Sequence, residues 1–211
     1  MWRVLRWVMV ALWVVAAGAA WWAAPRESTA EQASADIADH RVVAYQFGSG
    51  WHDTAPDRWF SVPSVDVKTS DPQAIFAWRT PDHRTHWVRD LHPGLDPAGS
   101  GTLISLSTLV NGIGLLFTVV FLGVLWAGPP PLTGTRWYWW WLFALVPFGL
   151  GLIWWTFREY PWNREPELPE RRRTGFRGFG TAFVVSLGVS VALLLLRRVF
   201  GDILFPDLLT P

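Results

Sequence analysis

The sequence predicts a membrane α-helical protein of about four transmembrane helices, with a small all-β domain between the first and second. Three observations predict it. Four apolar runs, 7–24, 103–127, 137–157 and 179–196, contain no Asp, Glu, Lys, Arg or His. At 1.5 Å per residue each is about long enough to cross a hydrocarbon layer of ~30 Å. Tryptophan, 17 of 211 residues, gathers at the edges of these runs, the level that amphipathic indoles favour. Charged residues, 17% of the chain, fall in the gaps instead.

Residues 1–24 have the order of a secretory signal: Arg3 and Arg6, an apolar core, then Ala16-Ala17-Gly18-Ala19-Ala20. Cleavage near Ala19 would leave three spans, and an uncleaved signal anchor leaves four. The run, at about 18 residues, exceeds a usual signal core. Trp21-Trp22 also suits an interfacial end, so the segment is taken as a signal anchor and transmembrane helix 1. Either way, residues 25–102 leave the cytoplasm.

Residues 25–38 read as a linker or short helix, and residues 39–102 as a small β-rich extracytoplasmic domain. Val43, Tyr45 and Phe47 alternate onto one face before the turn signal Gly48-Ser-Gly50. Short strands are expected at 59–62 and 65–68, parted by Pro63. Ala74-Ile-Phe-Ala-Trp-Arg79 and Thr85-His-Trp-Val-Arg89 form a predicted hairpin. Its loop, Thr80-Pro-Asp-His-Arg84, puts Pro and Asp where a tight turn takes them.

Transmembrane helix 2 (103–127) carries Ser105, Thr108, Asn111 and Gly112 on or beside one face, a pattern that suits close helix packing and interhelical hydrogen bonds. Transmembrane helix 3 (137–157) has Trp137, Trp139, Trp140 and Trp141 at one end and Trp154 and Trp155 at the other, as interface anchors. Pro147, Gly149 and Gly151 are expected to bend its middle. Transmembrane helix 4 (179–199) has a packing stripe of Ala182, Ser186 and Ser190. The tail, 200–211, is expected along the interface.

Arg3 and Arg6 favour a cytoplasmic amino terminus. Alternation across four spans then puts the β domain outside. It also puts the Arg/Glu/Pro-rich loop 158–178 outside, although that loop holds Arg158, Arg164, Arg171, Arg172, Arg173 and Arg177. The positive-inside rule opposes that placement.

Composition excludes several functions. Zero Cys removes disulfides, thiolate metal sites and Cys nucleophiles, and a net charge of +1 gives no electrostatic case for nucleic acid. Seventeen Arg against one Lys, Lys68, suggests the codon bias of a GC-rich bacterial genome. His83, His86 and His92, near Asp82 and Asp90, are the best metal-ligand candidates, but their spacing matches no known ligand pattern and no metal is expected. No catalytic signature is present, and no span carries the ionisable group that coupled ion transport needs. Arg171, Arg172 and Arg173 are candidates for lipid headgroup contact.

The order of signal-like span, β segment and second span, with Arg79-Thr-Pro-Asp-His-Arg84 and Leu91-His-Pro-Gly-Leu-Asp-Pro-Ala-Gly99, resembles small actinobacterial multi-pass membrane proteins of unknown function over about residues 1–127. Their hairpin carries Gly where this chain has His83. The resemblance implies no activity, cofactor or site residue. The expected role is a non-enzymatic structural or interaction protein in the cell membrane, without cofactors. Its expected partners are the bilayer and a membrane or envelope protein or a second copy of itself. The alternative is a component of a transport or channel assembly.

Overall fold

A computed structural model describes residues 2–51, 59–60, 65–66, 75–91, 93–96, 100–101, 103, 106–128, 130–159 and 173–200. In chain order its elements are α1 (Trp2–Ala23), β1 (Arg26–Glu27), α2 (Ala30–Ala38), β2 (Ala44–Gly48), β3 (Gly50–Trp51), β4 (Val65–Asp66), β5 (Ile75–Arg79), β6 (Thr85–Arg89), α3 (Ser107–Ala127), α4 (Arg136–Leu145), α5 (Leu150–Arg158) and α6 (Gly175–Phe200). Three of these, α1, α3 and α6, are long and apolar enough to cross a membrane. The chain divides into a mixed unit (Gly18–Ala55, Ser61–Thr108 and Leu196–Pro211) and a helical unit (Met1–Ala17, Pro56–Phe60 and Leu109–Leu195).

The mixed unit is built on the predicted hairpin. β5 and β6 pair antiparallel from Ile75↔Arg89 to Arg79↔Thr85. The turn closes through His83 N–H to the Thr80 carbonyl at 3.0 Å and Thr80 N–H to the Arg84 carbonyl at 3.0 Å. His83 sits at φ +66°, the left-handed region that favours glycine. β2 adds to β5, and β1 adds parallel to β6, giving the order β1-β6-β5-β2. Phe47, Phe76, Trp78 and Val88 pack with Ala33 of α2, while Ile75, Ala77 and Trp87 pack with Ala23, Val65 and Leu103. Alternation along each strand therefore buries both faces of the sheet.

The unit is thus not all-β. The segment read as a linker or short helix, 25–38, supplies an edge strand and a covering helix. Thr29 caps α2 by accepting from Gln32 N–H at 3.2 Å, and the Trp78 indole donates to Asp36 Oδ2 at 3.0 Å. β3 pairs with β4, which covers the first half of the strand expected at 65–68; residues 67–68 lie outside the described ones. The strand expected at 59–62 does not begin as one, because Trp59 and Phe60 belong to the helical unit. Residues 61–62 lie outside the described ones.

The helical unit departs from the four-span expectation at 137–157. This segment is two short helices rather than one continuous span. α4 stops at Leu145, and a 3-10 turn over Pro147–Gly149 reverses the chain, with Phe148 at φ +58° and Gly149 at φ +67°. Proline cannot donate the next helical hydrogen bond, and two successive left-handed residues turn the backbone away from the α4 axis. α5 then runs back along α4. A Cβ on Gly151 would lie 2.3 Å from the Leu142 carbonyl oxygen, so the two backbones approach as only glycine permits. The proline and glycines therefore fold the segment back on itself, where a bend was expected.

Candidate functional site

The hairpin of α4 and α5 is closed at its open end by a buried carboxylate. Glu159, 2% exposed, follows α5 directly. It accepts from Leu132 N–H at 2.8 Å, Thr133 N–H at 3.0 Å, the Thr133 hydroxyl and the Trp139 indole at 2.8 Å. The start of α6 is stitched to the same place. Arg173 pairs with the 133–135 segment through Thr135 N–H to the Arg173 carbonyl at 3.0 Å and Arg173 N–H to the Thr133 carbonyl at 3.4 Å. Its guanidinium donates to the Tyr138 hydroxyl at 3.0 Å. Gly178, one turn into α6, packs against the Tyr138 backbone, where a Cβ would meet Tyr138 Cα at 2.6 Å.

The amino terminus reaches this end too. Trp7 meets Phe157 edge-on at 6.1 Å, and the Arg6 guanidinium lies 5.5 Å from the same ring. The start of α1, the close of α3, both feet of the hairpin and the start of α6 therefore share one end of the helical unit.

The hairpin tip is packed with aromatic side chains. The Trp13 indole donates to the Phe148 carbonyl at 2.7 Å, a group that no continuing helix satisfies. Trp59 lies against Gly149 and Gly114 and donates to the Val110 carbonyl at 2.9 Å. Phe60 fills the space between Trp13 and Phe148, with ring centroids 5.8 Å from each. Gly114 stands thirteen residues before Ala127, about 20 Å at 1.5 Å per residue. The tip thus rises about two thirds of the length of α3.

The residues expected to act as sites fall in varied places. Thr108, Asn111 and Gly112 are exposed on α3, whose buried face is Val110, Ile113, Phe117, Phe121 and Leu125. They are therefore not packing residues within the chain; bulky apolar side chains take that role. Ser105 lies outside the described residues. Ala182 is buried, while Ser186 and Ser190 are half-buried, with the Ser190 hydroxyl returned to the Ser186 carbonyl at 3.1 Å. Of the expected interface anchors, Trp137 is exposed and Trp140, Trp141 and Trp154 are half-buried. Trp139 and Trp155 are core residues at 1% and 2% exposure, which corrects their reading as anchors. Because the hairpin folds back, the two indole clusters lie toward one end rather than at opposite ends.

His83 is exposed in its turn, and His86 is half-buried, stacked on Trp78 at 5.5 Å. His92 lies outside the described residues. Among the described residues no three metal-type ligands converge. Arg173 is engaged by Tyr138 and the 133–135 backbone rather than held free for a headgroup. Arg171 and Arg172 lie outside the described residues. Sequence reasoning missed Glu159, Trp13 and Trp59. The one available signal was Glu159 itself, a carboxylate directly after an apolar run that contains Pro147-Phe-Gly149. No protein family, curated protein or solved structure matches this chain.

Proposed function

We propose that the chain is a multi-pass protein of the cell membrane with a non-enzymatic structural or interaction role. On this reading α1, α3 and α6 cross the bilayer. The hairpin of α4 and α5 enters from the cytoplasmic side and returns to it. The small mixed unit is held outside.

One observation carries the reading: Arg6, Glu159 and Arg173 all belong to the same end of the helical unit. An even number of passages must then separate the close of α3 from the start of α6, and a re-entrant hairpin provides it. The charge pattern agrees. With three crossings, Arg3, Arg6, Arg136, Arg158, Arg164, Arg171, Arg172, Arg173 and Arg177 are all cytoplasmic, and only Arg197 and Arg198 of the short flanking segments lie outside. Four alternating spans would divide the same residues almost evenly. The exported segment between α1 and α3 is too long to weigh in this comparison. Reversal of the backbone at membrane depth is tolerated when it is covered by protein, as Trp13, Trp59 and Phe60 cover it here.

The chain lacks cysteine, so single-cysteine labelling of intact cells tests this directly. Ser34→Cys is expected to react with an impermeant maleimide, while Arg136→Cys and Arg158→Cys both react only after permeabilisation. Arg136→Cys and Arg158→Cys on opposite sides of the membrane would refute the re-entrant hairpin, and protection of Ser34→Cys would reverse the orientation. A second reading, a component of a transport or channel assembly, draws on the same helix break, because broken helices hold substrate sites in some transporters. The aromatic packing at the tip favours anchoring. The exposed Thr108, Asn111 and Gly112 face suits a partner helix in either reading.

A further inference from the structure

We propose that Arg26 and Arg84, with Trp21 and Trp22, form a binding site for the phosphate of a phospholipid headgroup. Arg26 stands on β1, three residues beyond the end of α1. Its guanidinium lies 4.9 Å from the Trp21 ring and makes a long hydrogen bond, 3.4 Å, to the Trp21 carbonyl. Its Nε is buried without an acceptor, and no carboxylate pairs with it among the described residues. Arg84 comes from the β5–β6 turn. Its guanidinium lies 4.3 Å over the Trp22 ring and 3.4 Å from Asp82 Oδ2. The Trp22 indole donates to the Asp82 carbonyl at 2.8 Å, which fixes the turn beside the end of α1.

The charges around Arg26 do not balance. Among the described residues two guanidiniums face one carboxylate, and Asp82 is already engaged by the Thr80 hydroxyl and by Arg84. Burial, and then repulsion from Arg84, hold Arg26 below its ordinary pKa, with Asp82 opposing only in part. His86, the register partner of Arg26, adds no anion, and burial holds its own pKa down. A partly buried cation without a counter-ion is unfavourable. A phosphodiester supplies what is missing, since its oxygens accept from two guanidiniums at once. The Trp21-Trp22 pair ends a helix long enough to span, and such indoles sit among headgroups, where lipid phosphate is the abundant anion.

This site rests on the reading of α1 as a membrane span. Release of the chain from membranes by alkaline carbonate would overturn that reading separately. The site itself is tested by native mass spectrometry of the full chain in lipid-depleted micelles. Phosphatidylglycerol is expected to bind at least about tenfold more tightly than diacylglycerol, which lacks the phosphate. Arg26→Gln and Arg84→Gln should each lose about tenfold, Arg26→Lys much less, and Arg3→Gln nothing. Circular dichroism and melting of each variant establish that it is folded; if Arg26→Gln is not, Arg84→Gln and Arg26→Lys decide. Equal losses in Arg3→Gln, or unchanged binding in Arg84→Gln, would overturn the site. Displacement of the lipid by equimolar inorganic phosphate would overturn the lipid as its ligand.

Discussion

Replacing Glu159 is expected to open the hairpin at its base. Four donors converge on this carboxylate, two backbone N–H groups, a hydroxyl and the Trp139 indole. Trp139 is 1% exposed, so its N–H has no route to water in the folded chain. In Glu159→Ala, a buried indole and part of a backbone turn lose their acceptor. A charge-assisted bond contributes about 1.5–3 kcal/mol, and an orphaned buried donor costs about 1–3 kcal/mol. With the turn residues half-buried and partly able to rehydrate, the loss should come to roughly 4 kcal/mol, near a thousandfold in the folded population. Glu159→Gln keeps one oxygen. If that oxygen takes the Oε1 position it retains Thr133 and Trp139, and its amide N–H₂ faces only Leu132, so its loss should be about half as large. Unfolding in mixed dodecyl-maltoside and SDS micelles, followed by tryptophan fluorescence, reads both values against the exposed control Glu31→Ala. A Leu142→Cys reporter, at a position 0% exposed in the native chain, should label faster in the Ala variant. A shift under about 1 kcal/mol for Glu159→Ala, or equal shifts for Ala and Gln, would mean that the carboxylate does not hold the hairpin.

Gly151→Ala puts a methyl 2.3 Å from the Leu142 carbonyl oxygen, whereas Gly180→Ala meets nothing within 4 Å. The first should lose at least about 2 kcal/mol or fail to accumulate, and the second should be neutral or slightly stabilising, measured by the same titration. Trp13→Phe removes the donor to the Phe148 carbonyl, so it should destabilise by about 1–2 kcal/mol more than Trp7→Phe, whose parent ring is 64% exposed. His86 has a pKa lowered from 6.5, first by burial. The folded form therefore favours the neutral ring, and an unfolded chain protonates first as pH falls. The mixed unit should lose stability as pH drops below about 6.5 and level off below the folded pKa, a slope that His86→Gln removes. A constant difference between the two proteins from pH 7.5 to 5 would refute the assignment.

The β5–β6 hairpin was legible because its signals are local. Pro81 and Asp82 specify the turn, and alternation specifies the faces. The cover of the sheet by α2 was less legible, although Thr29-Ala-Glu-Gln32 has the spacing of a capping box and marks the helix start. What hydropathy does not encode is direction. An apolar run of 137–157 has the same composition whether it crosses the bilayer or turns back halfway. The choice depends on a long-range event, the return of Glu159 to Thr133 and Trp139, together with the contact Gly151 allows at Leu142. On the proposed re-entrant topology, the conflict of the arginine loop with the positive-inside rule disappears. Tryptophan was ambiguous for a similar reason. An indole at the edge of an apolar run fits a headgroup boundary or a core equally well, and only packing separates exposed Trp137 from buried Trp139.

That ambiguity has a physical source in what the indole does in this chain. Reversing a helix inside an apolar medium strands backbone carbonyls that water cannot reach. A donor that answers them must bring its own apolar cover, because a hydroxyl or amide side chain placed there adds further polar groups to satisfy. The indole is donor-only and mostly hydrocarbon. Trp13 serves the Phe148 carbonyl in this way, while Trp59 adds a donor to the Val110 carbonyl of α3 and Trp139 donates to the Glu159 carboxylate. Each joins segments distant in sequence, |i−j| of 135, 51 and 20. On the proposed re-entrant topology, the tryptophans that looked like markers of the bilayer boundary are in part the means by which the hairpin becomes tolerable within the membrane.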